Sequence, residues 1–514
     1  MRKICLFLIL FLAVFFRIYH LNSVPPSPSL DEVSLGWNAY SILQTGADEY
    51  GNRFPVLLRA YDDWRPALYV YLVAPFVKIF GLTAMAVRLP SVLLSLLTVL
   101  LTYYLVKELF PKSSKFSIFN FQFSIGEIAS FLLAISPWHI YISRLGHEVN
   151  AGLTFGILGI FFFIKAVNSE KKTLLFLVFP AIFWALSFYT YQSQKIFGPL
   201  MIGALALIYR KRLIELKKET IFAGLVGLLL IMPIFKASLN PEALIRFRGT
   251  RSPLATIPQA YFSHFNPAWL FFNDGEERHK IPGLGVLYLW ELPLLLVGIY
   301  KLVTGNFPRQ TKFLLLSWVL VAPLPAAITT EAPHAMRAFN MLPMPQIITA
   351  VGLIALIPKF KKLLPLIGIL VLVSLGYLYH NYFVNFPYEQ SASFQYPLKQ
   401  VIPYVLENEG QYSKIVFSNH GQLYQSYMFF LFYSRYDPEL YQFQGGTFSG
   451  GFAETHKIGK YEFRPLNWVK EEKAKTLFIG NLNDFPSGIA AQKTFSLLNK
   501  QEVIAAYAQP PKSF

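Results

Sequence analysis

RKICLFLILFLAVFFRIYHLNSVPPSPSLDE, residues 2–32, holds most of what decides this fold. Arg2 and Lys3 precede an apolar run from Ile4 to Phe16, a proline-rich link follows, and two adjacent acids, Asp31 and Glu32, come next. An apolar run with basic residues at its start reads as a membrane helix whose first residue lies on the cytoplasmic side. A secretory leader begins the same way. Here Arg17, Tyr19 and His20 stand where a cleavage site would need small residues, so the segment is expected to stay as a first transmembrane helix. Carboxylates placed just outside such a helix need a reason, and two are open. Ser29-Leu30-Asp31-Glu32 fits a capping box, with Ser29 as N-cap and Glu32 reaching back to it. That explains Glu32 but leaves Asp31, about 100° further round the helix, to point elsewhere. The second reason is general-base chemistry at the membrane surface.

The rest of the chain repeats the apolar theme. Of 514 residues, 54% are hydrophobic and 15% charged, where a soluble protein has roughly a quarter charged. Apolar runs predict about eleven spans, near residues 4–20, 86–106, 125–142, 150–167, 173–190, 195–209, 219–237, 283–302, 312–328, 338–357 and 363–380. The formal charge of +17 would suggest nucleic acid in a soluble protein. Here the basic residues fall in every second gap: Arg2 and Lys3; Lys107, Lys112 and Lys115; Lys171 and Lys172; residues 210–218; Lys301, Arg309 and Lys312; Lys359, Lys361 and Lys362. That is the positive-inside pattern, and no nucleic-acid role is needed. It predicts a cytoplasmic N-terminus and, after an odd number of spans, an outer C-terminal tail. The single cysteine, Cys5, rules out an intrachain disulfide.

The expected fold is mainly α: a polytopic transmembrane helical bundle over residues 1–380 with an extracytoplasmic α/β domain over 381–514. Within the first part, an outer loop of residues 21–85 ends in ALYVYLVAPFVKIF, residues 67–80, too short to span and suited to an interfacial helix. In the tail, residues 399–406 read as a helix and KIVFS (414–418) and TLFIG (476–480) as buried strands. Gly445-Gly446 and Gly450-Gly451 mark a loop. Tyr424, Tyr427, Tyr433, Tyr436 and Tyr441 read either as an aromatic platform for a sugar or as core.

Nearly every outer turn carries an ionisable side chain. Arg65-Pro66 opens the interfacial segment and Arg88 stands at the outer end of the second span. Arg144, His147 and Glu148 share one tight turn, Lys195 lies in the next, and His334 and Arg337 in the last. Snorkelling or an i,i+4 pair accounts for any one of them. The set points to an outward cavity with acids for a hydroxyl and cations for a phosphate. Walker, dinucleotide, HExxH and cysteine-metal signatures are missing from the sequence, so a nucleotide cofactor has no visible handle.

These residues, in this order, resemble the GT-C type of polytopic membrane glycosyltransferase. The likeness is greatest to bacterial relatives of the protein O-mannosyltransferases (glycosyltransferase family 39) and of the lipid A aminoarabinose transferases. It rests on Asp31-Glu32, Arg65-Pro66, AVRLPS (86–91), RLGHE (144–148), Lys195 and PHAMR (333–337), and covers most of residues 1–380. The resemblance implies an inverting transfer of a sugar from a polyprenyl-phosphate donor to a protein, lipid or glycan acceptor, on the outer face of the cytoplasmic membrane. Asp31 would be the general base and Glu148 the second acid. Arg65, Lys195, Arg337 and His334 would hold the donor phosphate, and Glu32, Arg88, Arg144 and His147 would belong to the same cavity. Some members use a divalent metal ion, for which Glu32, His147 and His334 are the candidates here. The chain departs from its relatives in two places: Arg65-Pro66-Ala67 stands where they have Lys-Pro-Pro, and Glu148 where they often have aspartate. The rival reading is a transporter or lipid-linked sugar flippase. It calls for related halves and charged or broken helices at the midplane, which the sequence does not display. A third is a scaffold whose tail binds a partner.

Overall fold

A computed structural model describes all residues except 1, 62, 112–115, 119–120, 170–172, 274–278, 358–359, 449–454, 472–473 and 509–514. Lys112, Lys115, Lys171, Lys172, Lys359 and the Gly450-Gly451 pair lie outside the described residues.

In lipid a backbone can satisfy its polar groups only within its own helix, so long apolar runs become helices. Each of the eleven expected span positions contains a helix, but the helix expected at 283–302 begins only at Glu291. Among the described residues, six helices are long and apolar enough to cross a membrane: Ala84–Leu109, Glu148–Asn168, Lys217–Ser238, Arg309–Ala327, Phe339–Leu356 and Leu363–Glu389. A bent pair, Ile125–Ile135 with Pro137–Ser143, makes a seventh if counted as one span. The protein is a polytopic membrane protein.

The chain divides into two compact units, Met1–Tyr19 with Ser91–Asn381, and His20–Pro90 with Tyr382–Phe514. In the first, the segment expected to be one span at 125–142 is bent by 58°. Pro137 has no N–H to continue the ladder, and Ser136 starts a new helix by accepting from the His139 N–H. The carbonyls released at the break are taken by Arg17, which donates to Ala134 O at 3.0 Å and Leu133 O at 3.4 Å, and contacts His139 Nδ1 at 2.7 Å. Further along, the helices Glu291–Thr304 and Met344–Leu356 cross at Gly298 and Gly352. A β-carbon on either glycine would run into the other helix's backbone, at Ile348 O and Leu294 O respectively. Small residues at such a crossing let backbones approach in lipid.

In the second unit, the helix Leu30–Thr45 packs on Leu68–Phe80 and on Ser426–Ser434 of the tail. Gly36 permits this: a β-carbon there would meet Phe432 at 2.7 Å and Val87 at 2.8 Å. Residues Leu57–Ala60 and Asp63–Pro66 form an antiparallel hairpin ahead of the helix Leu68–Phe80. The tail sheet has six strands, in spatial order His456–Ile458, Tyr461–Phe463, Lys414–Phe417, Thr476–Asn481, Glu502–Ala508, Lys493–Ser496. The central strand Lys414–Phe417 runs parallel to both its neighbours and is buried at Ile415, Val416 and Phe417. Both expected tail strands and the helix Leu398–Asn408 are present.

Candidate functional site

The capping box forms as read. Ser29 Oγ accepts from the Glu32 N–H at 3.3 Å and the Ser29 N–H donates to Glu32 Oε2 at 2.7 Å, fixing the first turn of Leu30–Thr45. The two acids of this turn then part company. Glu32 is 1% exposed and meets Arg88 through two bonds, Nε to Oε1 at 2.7 Å and Nη2 to Oε2 at 3.2 Å. Arg88 spends its other donors on the carbonyls of Leu21 (2.8 Å), Pro25 (3.1 Å) and Ser27 (2.8 Å). Glu32 and Arg88, expected to line a cavity, are thus buried together, and they pin the proline-rich link to the start of Ala84–Leu109. Burying two charges is tolerable because each Arg88 nitrogen and both Glu32 oxygens have a partner. Asp31 is different: its side chain is 47% exposed, and Arg65 Nη2 donates to its Oδ1 at 2.9 Å. Arg65, on the hairpin strand Asp63–Pro66, is itself buried.

The same unit holds an acid that the sequence reading passed over. Glu49 is fully buried and accepts from Asn38 Nδ2 (3.1 Å), Thr447 Oγ1 (2.9 Å) and the Tyr427 hydroxyl (3.1 Å). Burial pushes its carboxyl up to about 7, against the opposing pull of these donors. A signal was present, because the Asp-Glu dipeptide of 31–32 recurs at 48–49. The tail tyrosines turn out to serve this core. Tyr427 and Tyr441 are buried, Tyr441 meets Thr447 at 2.7 Å, and Tyr433 meets Ser27 at 2.9 Å. Tyr427 and Tyr441 are packing residues, while Tyr424, Tyr433 and Tyr436 are half-buried.

In the other unit, the turns expected on the outer face are tied to one another. His147 caps Glu148–Asn168 by accepting the Val149 N–H on Nδ1 at 3.2 Å, and its ring packs edge-on to Tyr191 at 5.5 Å. Gln194 Nε2 donates to Asn340 Oδ1 at 2.8 Å, and Trp138 Nε1 to Ala335 O at 3.0 Å. Glu148 sits at the start of its helix, 4% exposed. Its Oε2 lies 3.5 Å from His147 Nδ1, but that nitrogen already accepts a hydrogen bond and carries no proton to share, so the contact is no salt bridge. Glu148 Oε2 has no hydrogen-bond partner among the described residues. Arg144 is buried and donates to Phe16 O at 3.0 Å, holding the end of the first helix. Lys195 Nζ donates to Ser238 Oγ at 3.0 Å. Arg337 donates to Thr329 Oγ1 (3.0 Å) and Thr330 O (2.6 Å) and lies 3.5 Å from Glu331.

His334 is buried, stacks on His279 at 4.7 Å, and its N–H donates to His264 Nε2 at 3.2 Å. Burial pushes His264 down to about 4, so it is neutral, with its proton on Nδ1 shared with Ala260 O at 2.8 Å. His264 and His279 were missed in the sequence because they sit in a polar loop without a motif. Glu32 has both oxygens taken, and His147 and His334 each accept a backbone N–H on Nδ1. Among the described residues no three His, Cys, Asp or Glu group so as to hold a metal ion.

Comparison with known proteins agrees with this architecture. ArnT from Cupriavidus metallidurans, in its structure bound to undecaprenyl phosphate, superposes with a TM-score of 0.56 at 11% identity, over 98% of this chain and 96% of that one. The apo form of ArnT gives 0.53 at 12% identity, over 97% and 96%. The apo oligosaccharyltransferase of Archaeoglobus fulgidus gives 0.51 at 14% identity, over 83% of this chain and 63% of that one. No curated protein matches by sequence. The protein therefore has the fold of the GT-C glycosyltransferases, and its residues 64–235 match the family of dolichyl-phosphate-mannose-protein mannosyltransferases.

Proposed function

We propose that the protein is an inverting glycosyltransferase that moves a sugar from a polyprenyl-phosphate donor to an acceptor hydroxyl at the outer face of the cytoplasmic membrane. The observation that carries this is the division of labour between neighbours: Glu32 is buried with Arg88, while Asp31 is half exposed and held by Arg65. An acid kept solvent-accessible and oriented by a buried guanidinium is suited to take a proton. In this reading the Asp31 carboxylate accepts the acceptor's hydroxyl proton and that oxygen bonds to the anomeric carbon. The bond from that carbon to the donor phosphate breaks, and the phosphate leaves as an anion. One displacement inverts the anomeric centre. Arg65 acts through Asp31. Lys195, Arg337 and His334 supply the donors that a phosphate needs as charge builds on it. Glu148, whose Oε2 has no donor among the described residues, is the second acid. The acceptor is a protein, lipid or glycan, and the tail is extracytoplasmic.

The test is reconstitution of the full chain in sealed liposomes with a polyprenyl-phosphate-linked sugar and candidate acceptors. Covalent glycosylated product of inverted configuration supports the reading. Passage of the lipid-linked sugar across the bilayer without product overturns it in favour of a flippase.

A further inference from the structure

The interfacial helix Leu68–Phe80 is brought to the membrane by covalent connection, because only residues 81–83 separate it from the membrane-length helix Ala84–Leu109. Its last turn leaves apolar surface uncovered: Ile79 is 71% and Phe80 45% exposed, and Lys78 beside them is exposed as well. Gly81 then turns at φ +72, and a β-carbon on it would lie 3.9 Å from Nη2 of Arg435. The tail therefore delivers a second cation, from 354 positions further along the chain, to the end of this helix. Arg435 is exposed, closes the helix Ser426–Ser434, and holds a left-handed conformation at φ 51 that few side chains adopt.

Two exposed cations beside two exposed apolar side chains, next to a span, match the chemistry of a lipid and not of water alone. The end of a helix is the negative end of its dipole. An anion at this spot thus needs both cations together. We propose that Lys78 and Arg435 hold the headgroup of an anionic phospholipid, with Ile79 and Phe80 seated among its upper acyl carbons, and that this lipid ties the tail to the membrane surface. The proposal stands apart from the catalytic reading and uses none of its residues.

The full chain is reconstituted in nanodiscs of phosphatidylcholine with added phosphatidylglycerol, and the lipids it retains on release are identified by native mass spectrometry. The wild type retains phosphatidylglycerol in preference. Lys78→Gln and Arg435→Asn each lower that preference about fivefold and the pair about 25-fold. Asn accepts the left-handed backbone and Lys78 is exposed, so both variants are expected to fold. Ile79→Ser also lowers retention, and excess inorganic phosphate does not displace the lipid. A double variant that keeps the wild-type preference overturns the proposal. Displacement by inorganic phosphate overturns it too, by assigning the cations to a free phosphate.

Discussion

At the scale of single residues, what matters is where each acid's charge is spent. Glu32 and Arg88 form a buried, fully bonded pair, so Arg88→Ala strands an acid and three carbonyls. A loss of about 3–5 kcal/mol is expected, visible as a fall in the thermal midpoint in detergent. Glu49 gives a pH signature. Its folded value of about 7 lies above the ordinary value of 4.5. The stability held by its protonated form is complete below about pH 4.5 and is lost as pH rises through about 7. Glu49→Gln is expected to flatten that decline, so that its melting temperature exceeds the wild type's at about pH 8 and not at about pH 5. The capping role of Glu32 was legible because its partner, Ser29, is three residues away. Its partnership with Arg88 was not, because 56 residues separate them and no local pattern encodes the meeting. The same holds for Glu49 with Tyr427 and Thr447. Asp31 stands out among the residues as the acid that the capping box leaves over, and its role as a base came from the family resemblance.

At the scale of elements, apolar length carried the reading. Helices stand at the expected spans because an α-helix satisfies its backbone within one segment in lipid, although 125–142 is broken in two and the helix expected from 283 begins at Glu291. KIVFS and TLFIG are strands because short β-branched and aromatic runs, bounded by turns, fill the centre of a sheet. The bend at Ser136-Pro137 was also written in the sequence, yet composition alone smoothed it into one span. The hairpin at 57–66 escaped because Arg59, Asp63 and Arg65 hide its alternation, and its stability comes from what it packs on. The crossing at Gly298 and Gly352 could not be foreseen from one strand of sequence, since a glycine in a helix says nothing of which neighbour approaches it. Gly298→Leu would force that crossing apart. Overpacking of about 1–3 kcal/mol or more is expected, read as early loss of monodisperse protein on heating, whereas Gly368→Leu, which meets nothing, is tolerated.

At the scale of the whole molecule, the chain's order and its packing part ways. Residues His20–Pro90 share a compact unit with Tyr382–Phe514, a pairing across some three hundred residues that composition does not announce. The first loop cannot complete its core alone: Trp37 is buried against Tyr441, and Gly36 against Phe432. Truncation after residue 381 is therefore expected to leave residues 20–90 open to protease, with cleavage at sites protected in the full chain; equal protection in both would show that the loop folds by itself. The central claim is that Asp31, and not its buried neighbour, removes the acceptor's proton. Its most direct test is the single-turnover rate of sugar transfer by Asp31→Asn in liposomes. A fall of about 10²–10⁴-fold with unchanged thermal stability is expected, and a rate close to the wild type's would show that another group takes the proton.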